Sequence, residues 1–309
     1  MRIKQFKCIC VLLLLFISSN NALWAQQDPQ YTQYMYNPIN INPAYAGSRG
    51  VTSIFGIYRT QWVGLTGAPV TSAASVNAPV GKNVGLGLTI VNDKIGPTDT
   101  NVIAGDFSYT IKASDTYKLA FGIKASLNLF SVDFTKLNIY DPGDPRFQNN
   151  ISNQLTPNIG AGAFLYSENT YVGLSVPFIL ETDRYDQNDI SVVKQRFHSY
   201  FMAGHVFDLA YNLKFKPATL VKVVQGAPLQ IDLTANVLIN DRLTLGLAYR
   251  WDAAFSALAG FQISDGIFAG YTYDMETTKL AEYNSGSHEI FLRFELFKKY
   301  DKVMNPRFF

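Results

Sequence analysis

Apolar and polar side chains alternate along most of residues 50–297. The stretch TYKLAFGIKASLNLF (116–130) places Leu119, Phe121 and Ile123 on one side and Gly122 and Lys124 on the other. The stretches LQIDLTANVLI, RLTLGLAYR and HEIFLRFELF repeat the pattern. Successive side chains of a β-strand point to opposite faces of a sheet, so each stretch has one apolar and one polar face. The sequence therefore predicts an all-β chain.

The alternation and the turn signals between stretches predict about fourteen strands, within a range of roughly 12 to 16. Many of them are roughly 9–12 residues long, whereas soluble strands average about 5–6 residues and a tilted membrane strand needs about 9–11. The predicted strands are 51–60, 69–80, 83–93, 101–113, 116–131, 156–167, 170–178, 196–207, 210–223, 229–239, 242–251, 254–264, 266–274 and 287–297.

The connections between these strands differ in length. Short turns are predicted at 80–83, 113–116, 239–241 and 264–266, and longer loops at 132–155, 179–195 and 275–286. Outer-membrane barrels carry short turns on one rim and longer loops on the other. This pattern favours a barrel, although the alternation of loop length along the chain is imperfect.

The polar face distinguishes a membrane barrel from a soluble β-sandwich, which would place charged residues on its outer face. Here that face consists mainly of Gly, Ala, Ser, Thr and Asn, with isolated charges at Asp106, Asp232, Arg250 and Arg293. Small side chains such as Gly85, Gly87 and Thr89 suit a narrow lumen that is packed against something. We therefore predict a transmembrane antiparallel β-barrel over residues 51–297, with few inward charges, closed because lipid cannot satisfy an unpaired sheet edge.

Composition agrees with this prediction. Charged residues make up 16% of the chain, against about 25% in soluble domains. After the N-terminal region no apolar run reaches the ~18 residues of a membrane-spanning helix. Without residues 1–25 the chain has 23 basic and 24 acidic residues (26 less 3 basic), a formal net charge of −1. Nothing in this balance indicates nucleic acid as a partner.

Residues 1–25 read as a cleaved signal peptide. Arg2, Lys4 and Lys7 precede the apolar run CICVLLLLFIS, and ALWA ends at Ala25. An uncleaved membrane anchor is the alternative, but the run is shorter than the ~20 residues that a spanning helix needs. Both cysteines of the chain lie in this segment, so the exported chain is expected to contain neither disulfide nor thiol.

Residues 26–50 fit neither a strand nor a helix, yet they are rich in Tyr, Asn and Pro. A proline excludes the helical region for the residue before it, so Asn37-Pro38 and Asn42-Pro43 give a kinked, stiff path. We hypothesise that this path lies inside the barrel or across its mouth as a plug, with its tyrosines donating hydrogen bonds to lumenal groups. The alternative is a periplasmic tether without a fixed place. The candidate plug residues are Tyr34, Tyr36, Asn37, Pro38, Asn42, Pro43 and Tyr45.

The C-terminal tail, residues 298–309, ends in NPRFF. Arg307, Phe308 and Phe309 are candidate partner-binding residues, because outer-membrane barrels often end in an aromatic assembly signal. Phe297 at the end of the last strand is an equal candidate for that signal, and the tail is equally consistent with a basic periplasmic docking peptide.

Catalytic chemistry finds little support in the sequence. His198 and His205 are seven residues apart, which puts them on opposite faces of a strand. In that arrangement the two side chains cannot coordinate the same metal ion. DPGDP at 141–145 could hold calcium, but Asp-Pro-Gly is ordinary turn chemistry. No catalytic triad or nucleotide-binding motif occurs in a credible context. We predict no enzyme, no metal and no cofactor.

Several motifs resemble the PorP/SprF family of type IX secretion outer-membrane proteins. They are QYTQYMYNPININPAYAGSRG, YRTQWVGLTGAPVT, GLGLTIVNDKIGP, YVGLSVP, GAPLQIDLTANVLINDRLTLGLAYR, HEIFLRFEL and the terminal NPRFF. The resemblance covers nearly the whole exported chain, in order and spacing. It implies a barrel of the secretion and gliding machinery in a gram-negative outer membrane. It also implies as partners a periplasmic peptidoglycan-linked subunit, ring or translocon proteins, and cargo with a C-terminal sorting domain.

Two other functions belong to different classes. A porin-like or substrate-specific diffusion channel requires an open, charged lumen, which small inward side chains and a plug disfavour. A soluble β-rich adhesin would be released from cells without detergent.

Overall fold

The computed structural model describes residues 30–138, 149–183, 194–195 and 197–296. Strands make up most of these ranges. Their bounds are Thr52–Thr60 (β1), Val70–Pro79 (β2), Val84–Ile95 (β3), Thr98–Lys112 (β4), Lys118–Val132 (β5), Ile151–Tyr166 (β6), Thr170–Val176 (β7), Thr182–Asp183 (β8), Lys194–Gln195 (β9), His198–His205 (β10), Phe207–Ala210 (β11), Leu213–Val224 (β12), Gln230–Ile239 (β13), Leu243–Arg250 (β14), Ala254–Ser264 (β15), Ile267–Glu276 (β16) and Ser287–Leu296 (β17).

Fourteen of these strands, all except β8, β9 and β11, form a closed antiparallel barrel, in which each strand pairs with the next barrel strand along the chain. Closure comes from β1 and β17, which pair from Thr52↔Leu296 to Thr60↔His288. The short β11 continues β10 in one register along β12, because His198 faces Val224 and Phe207 faces Phe215. The pair β8 and β9 forms a separate two-stranded sheet.

All fourteen predicted strands are confirmed, most within two residues at each end. β6 is the main exception, because it begins at Ile151 rather than at 156. The extra residues pair with β5 across a register shift between Phe130 and Val132. Asn153 at this bulge has a positive φ of 49°, a conformation that asparagine tolerates better than most residues. No periodicity argument could foresee this bulge.

The two faces of the wall are chemically opposite. Phe121 and Ile123 on β5 are 52% and 62% exposed on the outer face. Their neighbours Ala120 and Lys124 are buried in the lumen. Along the other strands, too, Leu, Ile, Val and Phe side chains are exposed on the outer face, although a few large apolar residues such as Phe164, Phe268 and Phe291 point into the lumen. Such an outer surface is the one that lipid covers in a membrane barrel.

The two rims differ as the sequence predicts. On the rim where β1 begins and β17 ends, the connections at 80–83, 113–117, 167–169, 240–242 and 265–266 are short; we call this the short-turn rim. Longer connections at 61–69 and 277–286 lie on the opposite rim, which we call the long-loop rim; β5 and β7 end at this rim, and β6 and β10 begin there after longer intervals of the chain. Its connections at 96–97 and 251–253 are short, which explains the imperfect alternation of loop length.

Residues 30–50, the N-terminal segment, lie inside the barrel. They form three single-turn 3-10 helices, Tyr34–Tyr36, Pro38–Asn40 and Pro43–Tyr45. Proline begins the second and third turns, where its missing N–H costs no hydrogen bond. Asn42 caps the third, since its side chain accepts a hydrogen bond from the Ala44 N–H at 3.0 Å. No helix in the described part of the chain is both long and apolar enough to cross a membrane.

Candidate functional site

A buried charge cluster holds the first residues of the N-terminal segment. The Glu289 carboxylate accepts hydrogen bonds from the backbone N–H groups of Thr32 (3.1 Å) and Gln33 (2.9 Å). Arg59 forms ion pairs with Glu289 at 3.1 Å and with Asp274 at 2.7 Å. The Thr32 hydroxyl donates to Asp274 at 2.8 Å. Two wall carboxylates and one wall guanidinium thus bind one another and the first turn of the segment.

The pairing of β1 with β17 explains why this cluster forms. Arg59 and Glu289 stand directly opposite each other in the register, and both side chains point inward. Cross-strand neighbours on one face have Cβ atoms about 4.5–5.5 Å apart, which is within ion-pair reach. A buried charge is tolerable only when it is paired and hydrogen-bonded, and Thr32 and Gln33 supply part of that hydrogen bonding.

A second ion pair lies beside this cluster. Gln30 donates from its side-chain amide to Asp232 at 2.6 Å. Arg250 pairs with the same carboxylate at 2.9 Å, and the two strands place Asp232 opposite Arg250. The start of the segment therefore contacts carboxylates on β13, β16 and β17.

Halfway through the lumen, the wall contacts the segment backbone at Ile39. Lys124 donates to the Ile39 carbonyl at 3.2 Å and pairs with Asp106 at 3.0 Å. The Ser75 hydroxyl donates to the Asn37 side-chain oxygen at 3.1 Å. These lysine and aspartate side chains are buried, so the segment supplies a hydrogen-bond acceptor to the lysine of a buried ion pair.

Further along, glycines in the wall admit the segment backbone. A Cβ built on Gly122 would collide with the backbone of Pro43 and Ala44. A Cβ on Gly162 would collide with the Asn42 side chain, which donates to the Ala163 carbonyl at 3.1 Å. The small inward residues predicted from the sequence are therefore what lets the segment lie against the wall.

The end of the segment is fixed near β1. The Ser108 hydroxyl donates to the Ala46 carbonyl at 2.7 Å. Arg49 forms an ion pair with Glu295 and donates to the Tyr45 hydroxyl at 3.2 Å. Arg293 also lies 3.3 Å from Glu295.

Aromatic packing fills the space between these polar contacts. The Tyr36 ring lies 5.4 Å from the ring of Phe268 and 4.8 Å from that of Phe291. Tyr45 meets Phe164 edge-on at 5.6 Å. These contacts belong to one hydrophobic cluster that joins the segment to wall residues of β1, β2, β5, β6, β7, β10, β12, β16 and β17. The main hydrophobic cluster of the described chain thus lies in the lumen.

All seven candidate residues in the N-terminal segment are buried in this site: Tyr34, Tyr36, Asn37, Pro38, Asn42, Pro43 and Tyr45. Their contacts differ in kind from the predicted ones. Tyr36 contributes ring packing, and the Tyr45 hydroxyl accepts a hydrogen bond from Arg49 rather than only donating. Backbone groups and asparagine side chains make many of the polar contacts. Arg307, Phe308 and Phe309 lie outside the described residues, as do Phe297 and residues 141–145.

The prediction of few inward charges is wrong. Lys124 and Glu289, which the alternation already assigns to the polar face, are buried in the lumen, as are Arg59, Asp274 and Lys216. Alternation alone assigns several of them to the inner face, which was the available signal. The partners of Arg59 could not be read from the sequence, because Asp274 and Glu289 lie on a distant part of the chain.

Histidine geometry agrees with the prediction of opposite faces. His198 is buried, whereas His205 is only partly buried and contacts the Thr170 hydroxyl at 2.6 Å. Within the described ranges, no group of three or more His, Cys, Asp or Glu side chains is placed to hold a metal ion.

Comparisons with known proteins address both family and fold. A family model described as "Type IX secretion system membrane protein PorP/SprF" matches residues 23–294. A search of the curated proteins found no match. The Ralstonia pickettii toluene transporter TbuX is similar with a TM-score of 0.51 at 9% identity, over 86% of this chain and 93% of that one. The P. putida toluene transporter TodX gives 0.50 at 7% identity, over 88% and 95%. At such low identity these likenesses concern the barrel fold alone.

Proposed function

Because this chain belongs to the PorP/SprF family of type IX secretion system membrane proteins, we propose that it is a non-enzymatic component of the type IX secretion and gliding machinery. In this role it supports the export or surface attachment of particular cargo proteins. The family match extends over residues 23–294, nearly the whole of the described chain. The barrel itself is of the outer-membrane type.

The observation that carries the proposal is the filled lumen. The N-terminal segment contacts the wall from Gln30 to Arg49 through hydrogen bonds, ion pairs and ring packing. A barrel occupied in this way supports a role in binding and assembly more readily than one in diffusion. Its loops and termini are then the surfaces through which it meets other proteins.

Three kinds of partner follow from this proposal. Cargo with a C-terminal sorting domain and ring or translocon proteins would meet the rims of the barrel. A periplasmic peptidoglycan-linked subunit would meet the periplasmic side, and the sequence of the C-terminal tail, with Arg307, Phe308 and Phe309, would supply positive charge and aromatic side chains for that contact. Cleavage of residues 1–25 would precede assembly.

A diffusion channel is the alternative from another class. The likeness to transporters with TM-scores of 0.51 and 0.50 concerns fold and does not favour this alternative. Lumenal charges could line an aqueous path, but Arg59 is paired with Asp274 and Glu289. Lys124 is paired with Asp106 and also donates to the Ile39 carbonyl of the segment. Conductance of the intact protein separates the two functions.

The proposal is tested by removing the gene and comparing the mutant with a complemented strain. We expect a subset of proteins with C-terminal sorting domains to disappear from the medium or cell surface and to accumulate inside the cell, as measured by quantitative mass spectrometry. The abundance of an unrelated outer-membrane barrel serves as control. An unchanged secreted proteome, together with steady porin-like conductance of the purified protein in planar bilayers, would contradict the secretion role and support the diffusion channel.

A further inference from the structure

The direction in which the N-terminal segment crosses the barrel can be determined from its contacts. At one end, Thr32 and Gln33 bind Asp274 and Glu289. Asp274 is two residues from the end of β16, and Glu289 is two residues from the start of β17. Since β16 ends and β17 begins at the long-loop rim, the first described residues of the segment lie near that rim.

Independent contacts on other strands agree. Gln30 binds Asp232, which is two residues from the start of β13, and Asp232 pairs with Arg250, the last residue of β14. Arg59, which pairs with Glu289, precedes the last residue of β1. All of these strand ends meet at the long-loop rim. Contacts on five different strands therefore place Gln30–Gln33 at the same end of the lumen.

The other end of the segment lies at the opposite rim. The Gly47 N–H donates to Asn77, two residues before β2 ends, at 3.3 Å. Arg49 pairs with Glu295, next to the end of β17. Both positions adjoin the short-turn rim, where β1 begins at Thr52. Between residues 30 and 50 the chain thus crosses the whole lumen.

We propose that the chain preceding Gln30 leaves the barrel at the long-loop rim, so that the N-terminus of the exported protein is presented on the cell surface. Outer-membrane barrels turn their short connections to the periplasm and their longer loops outward. The N-terminus and the 277–286 loop then both lie at the cell surface, at the rim opposite to the one where β17 ends. This topology goes beyond the role in secretion and does not depend on it.

Introduced cysteines test the proposal without background, because both natural cysteines, Cys8 and Cys10, lie in the predicted signal peptide. Asp28→Cys reports on the N-terminus. Glu282→Cys in the exposed 277–286 loop reports on the long-loop rim. Asp115→Cys reports on the short-turn rim, since the Asp115 side chain is 98% exposed in the turn after β4. Each variant is treated with a membrane-impermeant maleimide, first as intact cells and then after the cells are broken.

We expect Asp28→Cys and Glu282→Cys to be labelled in intact cells and Asp115→Cys only after breakage. Labelling of Asp28→Cys only after breakage, alongside Asp115→Cys, would overturn the proposal. Labelling of Asp115→Cys alone in intact cells would equally overturn the cell-surface assignment. Heat-modifiable migration on gels confirms that each variant is folded, and Gln27→Cys repeats the N-terminal measurement should Asp28→Cys fail to assemble. Secretion of cargo is scored separately, so failure of the topology and failure of the secretion role are distinguishable.

Discussion

At the scale of single residues, the absence of side chains is as informative as their presence. Gly122 and Gly85 face the lumen where the segment backbone runs, and a Cβ on either would collide with that backbone. Gly105 on β4 faces outward, and a Cβ there would meet nothing within 4 Å. Glycine in a strand interior weakens the strand and often marks a close approach of another backbone. The two environments therefore predict opposite responses to the same substitution.

We expect Gly122→Val to destabilise the folded barrel, because the new side chain must displace Pro43 and Ala44 or be displaced itself. Inserting carbon atoms into a packed interior costs about 1–3 kcal/mol. The temperature at which the heat-modifiable gel band is lost measures the effect, and protease access to the N-terminal segment shows whether it has left its place. Gly105→Val is the matched control. Equal behaviour of the two variants would contradict close packing of the segment at Gly122.

The buried ion pairs differ from the glycines in what they contribute to the stability of the barrel. Replacing a buried ion pair with apolar residues is often neutral for stability, whereas removing one partner alone costs about 3–5 kcal/mol. The cluster of Arg59, Asp274 and Glu289 is therefore better understood as fixing the position of Thr32 and Gln33 than as a source of stability.

At the scale of elements, the strands could be predicted almost completely. Leu86, Leu88 and Ile90 on β3 face outward while Gly85 and Thr89 face inward, as their alternation indicates. This success has a physical reason, since lipid on one side and a packed lumen on the other impose the two-residue period along the whole wall. The bulge near Asn153 and the interruption at Val206 between β10 and β11 break that period locally, so the sequence contained no signal for them.

The N-terminal segment could be predicted only in outline. Its residues indicated a stiff and ordered path, but not which wall groups it would meet. Thr32 and Glu289 are 257 positions apart in the chain, and nothing local to either residue indicates the other. Contacts across a lumen depend on the stagger between strands on opposite sides of the barrel, which periodicity does not specify.

Deleting residues 27–46 tests the segment as an element. We expect the shortened protein to lose stability and to show steady conductance in planar bilayers, because the deletion removes the segment's lumenal contacts from Gln30 to Ala46 and leaves most of the lumen unfilled. The matched control is deletion of Lys279–Tyr283, a 3-10 turn in the exposed 277–286 loop. None of its residues belongs to the lumenal hydrophobic cluster. A barrel unchanged in heat-modifiability, conductance and secretion after loss of 27–46 would count for the tether hypothesis.

At the scale of the whole molecule, the solvent of each face decides where the core lies. The outer surface is apolar, and the interior holds paired charges, amides and aromatic rings gathered around the N-terminal segment. Through Thr32 the segment contacts Arg59 on β1 and Glu289 on β17, where the barrel closes, and through Asn42 it contacts β6 and β7 on other parts of the wall. It therefore contributes to the cohesion of the closed barrel and is more than an appendage of β1.

The identity of the outer solvent can be tested with one substitution at two heights. Leu247 lies in the middle of β14 and is 69% exposed, and Tyr211 is fully exposed in the turn before β12. If lipid covers the wall, Leu247→Arg should cost about 2–4 kcal/mol, whereas Tyr211→Arg at the rim should cost about 0–1 kcal/mol. Urea titrations of folding into lipid vesicles, followed by gel mobility, give both free energies. In water, an arginine at either exposed position would be tolerated alike, so equal costs would contradict a membrane-embedded wall. A large cost at Leu247 alone would identify acyl chains as the medium around the barrel's midline.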